Sequence, residues 1–213
     1  MNTPSPGQSA ARGRLFVVAA PSGAGKTSLV KALLERRPEL RLSVSHTTRQ
    51  PRPTEAEGRE YFFVAGDTFR ELAARQQFLE HAQVFDNHYG TGRAPVENHL
   101  AQGRSVILEI DWQGARQVRA SLPQCVTIFI LPPSRGALEK RLRDRRTESD
   151  AAIARRLADA VGDMSHWNEF DYVVVNDDFD RALEDLTRIV DCKGDALRAN
   201  RPALIPLVSE LLA

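Results

Sequence analysis

The strongest chemical signal in the sequence is the segment APSGAGKT at residues 20–27. Gly23 and Gly25 allow the backbone to curl so that successive N–H groups point at phosphate oxygens. Lys26 can reach the β- and γ-phosphates of a nucleoside triphosphate, and the hydroxyl of Thr27 can bind the accompanying Mg²⁺. The spacing therefore predicts a phosphate-binding loop, although an alanine stands where such loops usually have their first glycine.

A second segment with suitable chemistry covers residues 43–52 and reads SVSHTTRQPR. It combines several hydroxyl groups with Arg49 and Arg52, whose guanidinium groups suit a phosphate dianion. Pro51 lies between the two arginines and stiffens their spacing. Taken alone, the segment is also compatible with a solvated loop that carries surface arginines.

The elements around residues 20–27 have the pattern that a phosphate-binding loop requires. Residues 15–20 form a short apolar run, which is typical of a strand buried on both faces. Residues 26–37 have apolar positions at helical spacing, and Pro38 ends the pattern. The amino end of this helix would add its partial positive charge beside the bound phosphates.

Apolar runs alternate with helical patterns along most of the chain. Further strands are predicted over residues 42–45, 78–85, 105–110, 126–131 and 172–175, and further helices over residues 68–76, 94–102, 134–146, 150–167 and 180–197. This alternation favours an α/β fold with a mostly parallel sheet flanked by helices. Residues 58–85 depart from the alternation and are expected to form an inserted α+β lobe.

The composition gives no sign of a membrane or nucleic-acid partner. The 213 residues include 29 Lys and Arg against 28 Asp and Glu, so no overall charge attracts polyanions. No apolar stretch approaches the roughly 20 residues that span a bilayer. Cys125 and Cys192 form no C-x-x-C pair, which indicates neither a zinc site nor a disulfide framework and fits the reducing cytoplasm.

Several separated motifs, taken in order, resemble the bacterial guanylate kinase family from about residue 13 to residue 191. The resemblance rests on the segments APSGAGKT (20–27), SVSHTTRQPRP (43–53), EGREYFFV (57–64), FLEHAQVF (78–85), YGTGR (89–93), LEIDWQGARQV (108–118), IFILPPS (128–134) and VNDD (175–178). It implies a P-loop NTPase-type α/β fold with an inserted NMP-binding lobe and a helical lid. It also implies transfer of the γ-phosphoryl group of ATP to GMP, and to dGMP.

The resemblance assigns the GMP site to side chains from the first half of the chain. Those expected to hold the GMP phosphate are Arg49, Arg52, Tyr61 and Tyr89. Those expected near the guanine base or the acceptor nucleotide are Ser45, Glu80, Thr91 and Asp111.

The chemistry of guanine agrees with this assignment. Its N1–H and exocyclic amino group lie side by side, so the carboxylate of Glu80 could accept from both, while hydroxyl groups donate toward O6. Such a site can reject the wrong base by roughly 10⁴-fold. Without the family pattern, Glu80 could equally be a surface glutamate, and Tyr61 and Tyr89 could be packing residues.

The resemblance assigns ATP, Mg²⁺ and catalysis to other groups. The expected ATP-binding residues are Ala20, Pro21, Ser22, Gly23, Ala24, Gly25, Lys26, Thr27 and Asn176. The expected catalytic residues are Lys26, Arg49, Arg141, Arg145 and Arg156, of which the last three belong to the lid. Thr27 and Glu109 are expected at the metal, but the sequence leaves open whether Glu109 or Asp111 contributes the carboxylate.

The reaction implied by the resemblance needs no general base. The second pKa of a phosphate monoester is about 6, so the acceptor is mostly a dianion at neutral pH. Catalysis is therefore expected to come from positioning and charge neutralisation, and the five histidines are expected to have structural or surface roles.

The expected organisation is a flexible tail at residues 1–12, a kinase domain at residues 13–191 and a C-terminal helical extension at residues 192–213. The NMP-binding lobe is expected at about residues 46–93 and the lid at about residues 134–160. The sequence leaves open whether copies of the chain form a homo-oligomer.

Two other functions were compatible with parts of the sequence. A related kinase could act on another phosphorylated acceptor such as a ribose bisphosphate, but Ser45, Glu80 and Thr91 argue for guanine. A binding module of the same fold could lack catalysis, but the intact Gly-Lys-Thr at residues 25–27 argues against that.

Overall fold

The computed structural model describes residues 12–84, 86–144 and 150–213. In chain order, its strands and α-helices are β1 (Leu15–Ala19), α1 (Lys26–Arg36), β2 (Arg41–Leu42), β3 (Ser45–Thr47), β4 (Tyr61–Phe63), α2 (Gly66–Ala74), β5 (Phe78–Val84), β6 (Asn87–Gly92), α3 (Arg93–Ala101), β7 (Val106–Glu109), α4 (Trp112–Ser121), β8 (Val126–Leu131), α5 (Arg135–Arg143), α6 (Asp150–Met164), β9 (Tyr172–Val175), α7 (Phe179–Val190) and α8 (Ile205–Leu212). All of the predicted tail except Arg12 lies outside these residues.

The main sheet is parallel throughout and has the strand order β2-β7-β1-β8-β9. Successive residues of the central strand β1 face opposite sides of the sheet. Phe16 and Val18 pack with apolar residues of α1 and α7, while Val17 packs in the core on the other face, to which α8 contributes Leu211. Both faces are therefore covered, which explains the unbroken apolar run and confirms the predicted α/β class.

A second, smaller sheet has the order β4-β3-β6-β5 and mixes parallel and antiparallel pairs. Its β6 was not predicted, because the segment NHYGTG contains residues that are rare in strands. Pairing with a strand on each side compensates for this composition. A Cβ at Gly90 would lie 3.1 Å from the rings of both Phe69 and Phe78, so close packing favours a glycine there.

Helix α4 was also absent from the sequence prediction. Few of its residues are apolar, and its buried positions are Gly114, Ala115 and Val118. The helix begins because the side chain of Asp111 accepts a hydrogen bond of 2.7 Å from the N–H of Gly114. Within the described ranges, no helix is both long and apolar enough to cross a membrane.

The prediction of one helix over residues 180–197 was wrong at its carboxyl end, since α7 stops at Val190. Cys192 has a φ of 60°, which is the left-handed region. The N–H of Lys193 then donates to the carbonyl of Arg188 at 2.7 Å, and this closes the helix. A short 3₁₀ helix at Asp195–Leu197 follows in a new direction.

Replacing Cys192 by glycine should stabilise the protein, because glycine adopts a positive φ without steric cost. We expect a gain of roughly 1 kcal/mol in the free energy of unfolding, measured by urea denaturation. Cys192→Ala is the matched control, since it also removes the thiol and its contact with Arg14 but keeps the Cβ. Equal stability of the two variants would contradict the explanation.

Candidate functional site

The predicted phosphate-binding loop connects β1 to α1, and its two glycines have positive φ angles of 88° at Gly23 and 96° at Gly25. The side-chain amide of the buried Asn176 donates to the carbonyl of Ala24 at 2.7 Å. A Cβ at Gly25 would lie 2.4 Å from that amide nitrogen. Gly25 is therefore required both by its backbone conformation and by the close approach of Asn176.

A cavity of about 830 Å³, called here the larger cavity, opens above this loop. Most of its wall comes from the loop, the start of α4 and helix α6. The lining residues from the predicted ATP site are Ala20, Pro21, Ser22, Gly23, Gly25, Lys26 and Thr27. Ala24 and Asn176 do not line it; they are buried.

A second cavity of about 240 Å³, called here the smaller cavity, lies between the two sheets. The residues that line it are Lys26, Ser45, Tyr61, Glu80, Ala82, Val84, Tyr89, Glu109, Ile110 and Asp111. Five of the eight residues predicted for GMP are among them. Lys26, Val84 and Asp111 line both cavities, so two ligands could meet end to end at the Lys26 ammonium.

The ammonium group of Lys26 donates to the backbone carbonyl of Ile110 at 2.7 Å. Burial lowers the pKa of Lys26, and the nearby carboxylates of Glu109 and Asp111 act in the opposite direction. The hydrogen bond fixes this cation at the carboxyl ends of the parallel strands, which is where open α/β sheets bind their ligands.

The oxygen atoms near the loop suit a magnesium ion. The hydroxyl of Thr27 donates a short hydrogen bond to the carboxylate of Glu109. Asp111 instead uses one of its oxygens to cap helix α4. The described part of the chain has no group of three or more His, Cys, Asp or Glu side chains that could hold a metal by itself. A hydroxyl and a carboxylate nevertheless fit Mg²⁺, which usually takes its remaining ligands from phosphates and water.

The carboxylate of Glu80 is buried, with only 4% of the residue exposed. The hydroxyl of Thr91 donates to it at 2.6 Å. Burial raises the pKa of Glu80 to about 7; the Thr91 hydrogen bond lowers this pKa, and the charge of Asp111 raises it. Thr91 lines neither cavity, and its hydroxyl contacts the Glu80 carboxylate.

The predicted phosphate-binding residues form a cluster beside the smaller cavity. The edge of the Tyr61 ring approaches Tyr89, with ring centroids 5.8 Å apart, and the guanidinium of Arg49 lies 5.4 Å from the Tyr61 centroid. Arg49 also donates to both carboxylate oxygens of Glu55, at 2.8 and 2.9 Å. Arg52 is farther out, with 72% of its side chain exposed, and neither arginine lines the smaller cavity.

Glu55, which orients Arg49, was not among the residues predicted from the sequence. The spacing gave a weak signal: a glutamate six residues after an arginine in a loop also fits solvent exposure. Here only 11% of the Glu55 side chain is exposed. The two hydrogen bonds from the Nη2 atom of Arg49 lower the pKa of Glu55, so this residue stays a carboxylate.

The lid arginines occupy different surroundings. Arg156 lines the larger cavity together with Arg155, which was not predicted. Arg141 lines neither cavity: its guanidinium donates to the carbonyl of Asn176 at 2.8 Å and to that of Ala24 at 3.4 Å. Arg145 lies outside the described residues.

The larger cavity also contains an aromatic pair that sequence reasoning did not find. The rings of Trp112 and His166 stack with centroids 3.5 Å apart and an interplanar angle of 17°. The indole N–H of Trp112 donates to Asp163 at 3.1 Å. Burial raises the pKa of Asp163. The contacts join α4 to residues more than 50 positions away in the chain, a proximity that no local pattern reveals.

Comparisons with known proteins point to a single family. The profile of the family described as guanylate kinase matches residues 12–193. The guanylate kinase of Methylococcus capsulatus is 54% identical over 201 residues, covering 94% of this chain and 98% of the relative. That of Escherichia coli K12 is 52% identical over 205 residues, covering 95% and 99%. The crystal structure of guanylate kinase from Anaplasma phagocytophilum has a TM-score of 0.72 and 32% identity, covering 93% of this chain and 95% of that one.

Replacing Glu80 by glutamine should stabilise the fold at alkaline pH. Because the pKa of Glu80 rises from 4.5 to about 7 on folding, the native state favours the proton, and stability is lost as pH rises through that interval. Urea unfolding gives the free energy of unfolding of both proteins. We expect the value for Glu80→Gln minus that for the parent to be about 3 kcal/mol larger at pH 8 than at pH 4.5. A stability difference that does not change with pH would contradict the assigned burial effect.

Proposed function

The chain belongs to the guanylate kinase family and is an ATP:GMP phosphotransferase, and we propose that its two cavities bind the two nucleotides. ATP occupies the larger cavity, with its phosphates on the loop at residues 20–27, and GMP occupies the smaller one. The observation that carries this proposal is that Lys26 lines both cavities. Its ammonium group would then lie between donor and acceptor, where negative charge accumulates during transfer.

Glu80 is proposed to select guanine. Its carboxylate lines the smaller cavity and accepts from Thr91 while keeping lone pairs for a ligand. Guanine would supply two donors to the ionised carboxylate, and the energy of these contacts would favour loss of the Glu80 proton. Adenine has no N1–H and would place the lone pair of N1 against the ionised carboxylate, which would lose one of its two donors at a cost in binding energy. Ser45 lines the same cavity and is proposed to hydrogen bond to the base.

The phosphate of GMP is proposed to bind at the Tyr61 and Tyr89 end of the smaller cavity. Arg49 packs against Tyr61 and is oriented by Glu55, which supports its assignment to this phosphate. The exposed side chain of Arg52 would have to turn inward to join it. The acceptor phosphate is already mostly dianionic at neutral pH, so these residues position a nucleophile and remove no proton from it.

Mg²⁺ is proposed to bind beside Thr27 and Glu109. The ion would neutralise charge on the β- and γ-phosphates during transfer. Glu109 is preferred over Asp111 for this role because one oxygen of Asp111 already caps helix α4. Asp111 lines both cavities and is proposed to lie near the acceptor nucleotide.

The three arginines predicted for the lid are proposed to have different roles. Arg156 lines the larger cavity and would contact the ATP phosphates from α6. Arg141 holds the carbonyls of Ala24 and Asn176, so it would support the loop through its backbone in the arrangement seen here. Arg145, which lies outside the described residues, is proposed to act in the lid as the sequence predicts.

The setting of the enzyme is also a proposal. Cys125 and Cys192 are both free, and the exposed thiol of Cys192 fits a reducing compartment such as the cytoplasm. The near balance of 29 basic and 28 acidic residues supports small nucleotides as the partners rather than nucleic acid.

The buried carboxylate of Glu80 argues against a ribose bisphosphate as the acceptor, because that substrate has no base whose N–H groups could bind to it.

Acceptor selectivity tests the assignment of the smaller cavity. With Mg·ATP and purified protein, we expect GMP to be phosphorylated with a kcat/KM roughly 10⁴-fold above that for AMP, because only guanine satisfies Glu80. ADP formation in a coupled assay measures the rates, with CMP and UMP as further acceptors. Comparable rates on AMP and GMP would refute the guanine assignment.

Lys26→Ala should abolish turnover without unfolding the protein. Removing the cation shared by the two cavities should lower kcat by at least about 10³-fold, a typical effect for a group that stabilises transferring phosphate. The matched control is Lys31→Ala, an exposed lysine on the same helix α1. Circular dichroism reports the fold of both variants. If Lys26→Ala keeps parental activity, the proposed mechanism is wrong.

A further inference from the structure

Helix α4 lies against β5, an end strand of the smaller sheet. The side-chain amide of Gln117 donates to the carbonyl of His81 at 2.9 Å and accepts from the N–H of His81 at 3.1 Å. This pair of bonds replaces those that a neighbouring strand would make. It fixes β5 to α4 at the residue that follows Glu80.

One turn earlier on α4, the backbone of Gly114 meets the carboxylate of Glu80. A Cβ at Gly114 would lie 2.7 Å from the Oε2 atom of Glu80 and 3.2 Å from its Cδ atom. Gly114 is helical and has no positive φ, so its backbone conformation does not require glycine. The space that the carboxylate occupies requires glycine, even though a glycine inside a helix lowers the stability of the helix by about 1 kcal/mol relative to alanine.

The other oxygen of the Glu80 carboxylate is held from β6. The pairing of β5 with β6 shifts between Phe78 and Glu80, and this irregularity places Glu80 opposite Thr91. Side chains at opposed positions share one face of a sheet, which allows the 2.6 Å hydrogen bond from Thr91. Glu80 is thus held by Thr91 on one side and bounded by Gly114 on the other.

We propose that Gly114 and Gln117 are positioning residues that set the place of the Glu80 carboxylate and thereby the selectivity for guanine. The inference rests on the proposed binding of GMP in the smaller cavity. Guanine presents two adjacent donors, so both carboxylate oxygens must lie in the plane of the base. An added methyl group at Gly114 would displace or rotate the carboxylate and break this bidentate contact.

The test compares Gly114→Ala with the parent on GMP and on IMP, whose base lacks the exocyclic amino group. We expect kcat/KM for GMP to fall by about 100-fold, the cost of a misplacement of roughly 1 Å. The ratio of the GMP value to the IMP value should fall by about tenfold, since IMP makes one of the two contacts, and KM for ATP should stay unchanged. A general loss of structure would not change this ratio selectively.

Gly136→Ala is the matched control, because it also lies on a helix, α5, and its nearest neighbour is the Ser134 hydroxyl at 4.0 Å. We expect parental values of kcat/KM and of the GMP-to-IMP ratio for this variant. If the GMP-to-IMP ratio of kcat/KM values fell as much in Gly136→Ala as in Gly114→Ala, the inference would be overturned.

Gln117→Met tests the same inference without adding volume beside Glu80, and it applies if Gly114→Ala does not fold. It removes both bonds to His81, so the GMP-to-IMP ratio should again fall. The control is Gln124→Met, at an exposed glutamine outside both cavities, which should leave the ratio unchanged.

Parental protein that fails to phosphorylate GMP would refute the proposed function itself. Active parental protein with an unaltered ratio in the folded position-114 and position-117 variants would overturn this inference alone.

Discussion

The site depends on one cation that two cavities share. The Lys26 ammonium lines both cavities, and a carbonyl oxygen at the end of the main sheet and the carboxylates of Glu109 and Asp111 lie near it. Such a group is stable only where opposite charge and hydrogen-bond acceptors are already fixed, and the fully covered parallel strands fix them. The apolar core and the polar site are thus connected: the sheet positions the acceptors, and the acceptors stabilise a charged lysine between the two cavities.

Sequence reasoning succeeded where the constraint was local. The strand at residues 15–20 and the loop after it were predictable because burial on both faces forbids polar residues and a curled backbone demands Gly23 and Gly25. It failed where a segment takes its structure from contacts with distant parts of the chain. Helix α4 has few apolar residues, and β6 contains glycines, so each is stabilised by packing or pairing that the local sequence does not indicate.

The hydrogen-bond partners of individual side chains could not be predicted from the sequence. Thr91 was predicted near the base from its motif, and the structure adds that its hydroxyl donates to Glu80, a contact that the motif does not indicate. Arg141 was predicted to reach over ATP, and in this structure its guanidinium contacts two backbone carbonyls. A hydroxyl or a guanidinium can satisfy several acceptors, and the choice depends on which of them lies within about 3 Å in the folded chain. Residue type and spacing do not determine that distance.

Helix α4 touches both nucleotide cavities within its first few residues. Its cap, Asp111, lines both; Trp112 faces the larger one, and Gly114 abuts the carboxylate in the smaller one. A displacement of α4 as a unit would therefore alter the walls of both cavities. Binding in one cavity would then be linked to binding in the other through this helix. Because such linkage is reciprocal, each ligand would change the affinity for the other by the same factor.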